Sequence, residues 1–161
     1  MELLQQARAL YEKGEMHDAL EVAQVACERK PKDAEAWWLL GCISRYTGMP
    51  AASDAAFERA AALSRKRPAP SRVSAKRFRE ILEGALEKLS GDARRRLAET
   101  EFQVEPLPSP EAIRDGLSPE AQSERRRGPR DVLTLFQVNL ENRAGGEAEL
   151  GKLVGRVLSR A

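Results

Sequence analysis

Histidine occurs once in this 161-residue chain, at His17, and cysteine twice, at Cys27 and Cys42. That scarcity excludes a disulfide-built scaffold and leaves few soft ligands for a metal. Aromatic residues are only 5% of the chain, so a core must rest on Ala, Leu and Val. No stretch approaches the roughly 18 consecutive apolar residues of a membrane-spanning helix. The opening Met1-Glu2-Leu3-Leu4-Gln5 lacks both a basic run and an uninterrupted apolar one. No signal peptide is expected, therefore, and the expected compartment is the cytoplasm. An excess of one charge sign is missing too: 27 Lys and Arg stand against 25 Asp and Glu. What is plentiful is Ala, Leu, Glu and Arg, a composition suited to closely packed helices. The length predicts one ordinary domain or two very small ones.

The net charge of +2 arises entirely after residue 70, where seventeen basic residues meet fifteen acidic ones. It is concentrated in Arg94-Arg95-Arg96 and in Arg125-Arg126-Arg127 with Arg130. Such clusters can meet phosphate backbones. Here Asp92, Glu99 and Glu101 flank the first and Glu120, Glu124 and Asp131 the second, without interleaved aromatics. A solvated face is the favoured reading, and nucleic-acid binding is the weaker alternative.

The first half repeats with a period of 34 residues: Gly14 matches Gly48, Ala26 matches Ala60, and Ala19 falls opposite Ser53. Apolar residues at helical spacing precede each glycine, as Leu3, Leu4, Ala7, Leu10 and Tyr11, then Ala36, Trp37, Leu40, Gly41 and Ile43. A second helical pattern follows each, through Ala19–Ala26 and Ala55–Leu63. The glycines stand where a helix must stop, and Pro31 bars continuation of the second helix. Ala36-Trp37-Trp38-Leu39-Leu40-Gly41, with Gly48, Phe57 and Ala60, resembles a tetratricopeptide repeat. Ser44, Ser53 and Arg65 depart from that pattern, and the first copy keeps only Gly14, Ala19, Ala26 and Pro31. The resemblance covers residues 1–67 and implies two helical hairpins.

Two such repeats leave an end that another element should cover. A short Pro-containing linker, 68–73, leads into Ser74–Leu89, with an apolar stripe of Phe78, Ile81, Leu82, Ala85, Leu86 and Leu89. This helix is expected to cap the repeats, wholly or in part. Beyond it, Asp92–Ala98 reads as a short helix and Glu101–Glu105 as a strand ended by Pro106. Glu111–Asp115 is a helical turn or two, Ser118–Pro129 a mobile loop, Asp131–Val138 the best strand, and Glu147–Ser159 a helix. The fold class expected is mainly α, with helical-hairpin repeats followed by a small α+β unit of about two strands over 74–161.

Phe78 with Ala85-Leu86-Glu87-Lys88-Leu89, then Phe102–Pro108, Gly116-Leu117-Ser118-Pro119, Val132–Phe136 and Glu149-Leu150, resemble in order the minimal zincins. These are a small bacterial family of zinc metallopeptidases. The resemblance implies a last helix carrying His-Glu-x-x-His, whose histidines bind zinc and whose Glu activates water. Arg160 and Ala161 stand at the first His and the Glu instead, so a degenerate, non-catalytic relative is expected. A catalytic zinc needs three protein ligands, and His17, Cys27 and Cys42 have no ligand spacing. Neither a phosphate loop nor a G-x-S-x-G turn is present. No catalytic residue, metal or cofactor is therefore expected.

What remains is binding. The tetratricopeptide resemblance implies a groove for a peptide or protein partner, lined by Leu4, Arg8, Tyr11 and Glu12, then Glu35, Trp38, Cys42, Arg45 and Tyr46. It makes Trp37 a core residue. For Trp38 two readings stand: an exposed anchor in the groove, or a ring covered by Phe78 or another residue of the second part. The expected function is a non-catalytic adaptor acting through the groove or by self-association. The alternative is a zinc metallopeptidase relative completed by a partner.

Overall fold

Both halves of the 34-residue period end their first helix in the same way, and that turn organises the first fifty residues. The computed structural model describes residues 2–161. The helical hairpins are α1 (Leu3–Glu12) with α2 (Met16–Arg29), and α3 (Ala34–Tyr46) with α4 (Pro50–Leu63). There follow α5 (Ala75–Glu87), α6 (Gly91–Leu97), β1 (Glu101–Glu105) and α7 (Pro110–Arg114). The chain closes with β2 (Ser123–Arg126), β3 (Val132–Phe136), α8 (Gln137–Arg143) and α9 (Glu147–Arg160).

Gly14 and Gly48 follow α1 and α3 at φ 83° and 75°. Beyond them, the Glu15 N–H donates to the Leu10 carbonyl at 2.9 Å and the Met49 N–H to Ser44 at 3.0 Å. This left-handed turn satisfies the last carbonyls of each helix, and glycine enters it without a Cβ penalty. The starts are set as firmly. The Asp33 carboxylate accepts from the Glu35 N–H at 3.0 Å, and Pro50 takes the first position of α4. Close approach of α3 and α4 depends on small residues: the Phe57 ring lies over Gly41, and the Ser53 hydroxyl donates to the Gly41 carbonyl at 2.6 Å.

The chain divides into two units. The first comprises residues up to Pro70 together with Pro108–Glu120; the second comprises Ser71–Leu107 and Ala121–Ala161. The core of the first gathers Ala7, Tyr11, Ala23, Leu39, Ile43 and Phe57. In the second, α5 packs on α9, burying Phe78 and Leu82 with Leu150, Val154 and Leu158. A three-stranded sheet completes it in the order β1-β3-β2. β1 runs parallel to β3, with Phe102 opposite Leu133, and β2 runs antiparallel, with Arg125 opposite Leu133. As the central strand, β3 is buried over Leu133–Phe136, which explains its nearly continuous apolar run.

The architecture is mainly helical with a small sheet, as expected, and it differs from the sequence reading in three places. A third strand, β2, lies inside the stretch 118–129 expected to be a mobile loop. Its Ser-Glu-Arg-Arg has no apolar alternation to announce it, and pairing with β3 alone makes it a strand. The strand expected over Asp131–Val138 ends at Phe136, where α8 begins. What packs with the repeats in the first unit is Pro108–Glu120, so the second part is not one continuous stretch from residue 74.

Candidate functional site

The residues expected to line the groove fall into three groups. The first meets the segment Pro108–Glu120. Arg8, half-buried on α1, points its guanidinium at the Glu120 carboxylate, 4.0 Å away. The Tyr46 hydroxyl donates to the Pro119 carbonyl at 2.5 Å, and the Tyr46 ring stands edge-on to Tyr11 with centroids 6.1 Å apart. Tyr11 is fully buried, and its hydroxyl has no hydrogen-bond partner. Burial, reinforced by the neighbouring Cys42 and Glu120, pushes the Tyr11 pKa well above the ordinary phenol value.

The second group centres on Trp38. Neither reading holds as stated: Trp38 is only 2% exposed, so it is no exposed anchor, and the rings and charges on it come from the first unit. The cover is not Phe78. Phe57 meets the indole edge-on at 6.0 Å, and the Arg67 guanidinium stacks over it at 4.0 Å. Arg67 is held there by Glu35, with Nε donating at 2.9 Å and Nη2 at 2.6 Å to the two carboxylate oxygens. Trp37, expected as the core residue, packs on the core from its rim and is half-buried. Its Nε1 donates to the Pro31 carbonyl at 2.9 Å, and Arg59 lies 5.1 Å over its ring. Helical spacing alone could not anticipate this, because Arg67 lies beyond the end of α4.

Of the remaining residues Cys42 adjoins Tyr11, while Arg45, Leu4 and Glu12 have other surroundings. Arg45 donates to both oxygens of Asp54 at 3.0 Å. Leu4 borders a small cavity of about 220 Å³ with Ala26 and Lys30, Cys42 is buried, and Glu12 is exposed. The residues that sequence reasoning missed are Ile113, Pro119 and Glu120. Ser109 caps α7 by accepting from the Ala112 N–H at 3.1 Å, and the helix turns Ile113 inward against Gly14. The only signal for this was the pair of prolines that open α7.

Arg94, Arg95, Arg96, Arg125 and Arg126 of the two clusters have internal acceptors. Arg94 donates to the Glu87 carbonyl, Arg95 pairs with Asp92, and Arg96 reaches the Ser159 carbonyl at 2.9 Å. Arg125 and Arg126 pair with Asp131 and Glu124, each at 3.0 Å. The Arg125 guanidinium holds the Asp131 carboxyl below its ordinary pKa. Among the described residues no group of three or more His, Cys, Asp or Glu is placed to hold a metal ion. His17 is exposed in the first turn of α2, and both cysteines are buried thiols that form no disulfide.

Chemically, the arrangement around Arg8 and Tyr46 offers a hydroxyl donor for a backbone carbonyl, a guanidinium for a carboxylate, and an apolar seat beside Gly14. Profiles of known protein families, curated proteins and solved structures contain no match to this chain.

Proposed function

We propose that this chain is a non-catalytic, cytoplasmic adaptor that binds a peptide or protein partner through the face bearing Arg8, Tyr11 and Tyr46. In this reading the two helical hairpins are tetratricopeptide-like repeats. The second unit is a degenerate relative of the minimal zincins that lacks His-Glu-x-x-His. One observation carries the proposal: that face already holds a stretch of polypeptide, through the 2.5 Å hydrogen bond from Tyr46 to the Pro119 carbonyl and the Arg8–Glu120 ion pair. A hydroxyl that takes a main-chain carbonyl and an arginine that takes a carboxylate recognise peptide, whatever chain supplies it.

The test is retention of a partner on immobilised full-length protein, compared with Arg8→Glu and Tyr46→Phe. Release by both variants, with their helical content intact, is the expected result. Retention indifferent to both removes the face from consideration. Elemental analysis of the same preparation addresses the runner-up, because one tightly bound zinc per chain would revive the peptidase reading.

A further inference from the structure

The segment Pro108–Glu120 has a structure it could not keep alone. Its one helix, α7, is five residues long, far below the length that is stable in isolation. Within the segment Pro108, Ile113 and Pro119 are buried, with Ile113 only 3% exposed. Its shape therefore comes from what it lies against within the first unit. Ile113 rests on Gly14, and a Cβ at that glycine would stand 3.2 Å from Ile113 Cγ2. Six residues further on, the Pro119 carbonyl accepts from Tyr46, and the Glu120 carboxylate faces Arg8. An apolar side chain in a seat, a main-chain carbonyl on a donor and a charge at the rim are how a peptide is held. The segment is bracketed by Leu107 and Ala121, both part of the second unit, so it is tethered at each end.

We propose that Pro108–Glu120 is a ligand built into the chain. It occupies in cis the site that receives a partner peptide of the same chemistry: an aliphatic residue followed, six positions later, by proline and a carboxylate. This rests on the adaptor reading and adds regulation to it. A doubly tethered ligand competes at an effective concentration on the order of millimolar. An incoming peptide binds only the fraction of molecules whose segment is released, so its apparent affinity falls by that fraction. Weakening the segment therefore tightens partner binding. For a segment that merely completes the core, the same change would leave partner binding unchanged or weaken it.

The experiment titrates a fluorescently labelled peptide of residues 108–120, PSPEAIRDGLSPE, into the full chain and follows its anisotropy. Wild type is compared with Ile113→Ala, which alters the tethered segment and leaves the repeat face intact. The expected result is binding on the order of tenfold tighter to Ile113→Ala, lost again when Tyr46→Phe is added. Equal, weaker or absent binding to Ile113→Ala overturns the proposal. Should that variant lose cooperative unfolding, Glu120→Gln serves in its place, with a gain of about threefold expected. A wild-type mass of two chains that becomes one in Ile113→Ala assigns the segment to a second copy and also overturns it. A partner released by Arg8→Glu but held equally by wild type and Ile113→Ala removes the built-in ligand and leaves the adaptor standing. A partner indifferent to Arg8→Glu removes the adaptor reading itself.

Discussion

Tyr11 is the residue where fold and chemistry disagree most. Its ring belongs to the first unit's core, yet its buried hydroxyl has no partner. A buried polar group left unpaired costs more than a methyl-sized gap gains. Tyr11→Phe is therefore expected to leave stability unchanged or raise it by up to about 1 kcal/mol, read as the urea midpoint. Tyr11→Ala removes the ring as well and is expected to cost about 3–5 kcal/mol. The same burial has a pH consequence. The Cys27 thiol is pushed up from 9.0 to about 12 by burial, and Tyr11 is raised in the same direction. A folded state that keeps protons the unfolded chain gives up loses stability as pH rises. The contribution of these groups to stability is thus expected to be level below the unfolded thiol value of 9.0 and to fall from there towards about 12. Urea midpoints measured on either side of that window check this, and Cys27→Ala should flatten the fall.

Among the elements, the α3–α4 hairpin shows why a repeat pattern is legible at all. Its spacing of small residues answers to a contact, since a Cβ at Gly41 would come within 2.7 Å of the Phe57 ring. Gly41→Ala is accordingly expected to cost about 1–3 kcal/mol, measured by chemical denaturation. Helix α8 shows the opposite case. No periodicity marked it, and Gln137 and Val138 read as a continuing strand. What turns the chain there is a buried carboxylate: Glu141, 2% exposed, accepts from Arg72 at 3.1 Å, the Val73 N–H at 2.9 Å and Gln137 at 3.1 Å. Removing one member of such a network strands the others. Glu141→Ala is expected to destabilise the second unit by about 3–5 kcal/mol, with Glu141→Gln costing less because it keeps an acceptor oxygen. Local patterns report what a residue does to its own helix, and Glu141 acts on residues nearly seventy positions away.

At the scale of the whole molecule, the chain leaves the second unit after Leu107, contributes thirteen residues to the first, and returns at Ala121. Ile113 is the apolar anchor of that excursion. Ile113→Asp is expected to raise amide hydrogen exchange at the Tyr11–Glu15 turn and across Ala112–Leu117 while changing Leu133–Leu135 little; a uniform rise would instead make the two units one cooperative body. Composition and periodicity by themselves determined the helical class, the four helices of the two hairpins and their glycine turns, because those depend on contacts within about forty residues. The residues expected to face a groove follow instead from the tetratricopeptide resemblance, which assigns each one by its place in the repeat. Tertiary structure alone decided what lies on that face. Arg67 covers Trp38, Pro119 accepts from Tyr46 and Glu120 meets Arg8, in each case through a partner outside the four hairpin helices, held by geometry that no local period encodes. The same holds for β2, whose polar sequence becomes a strand only because β3 offers it an edge.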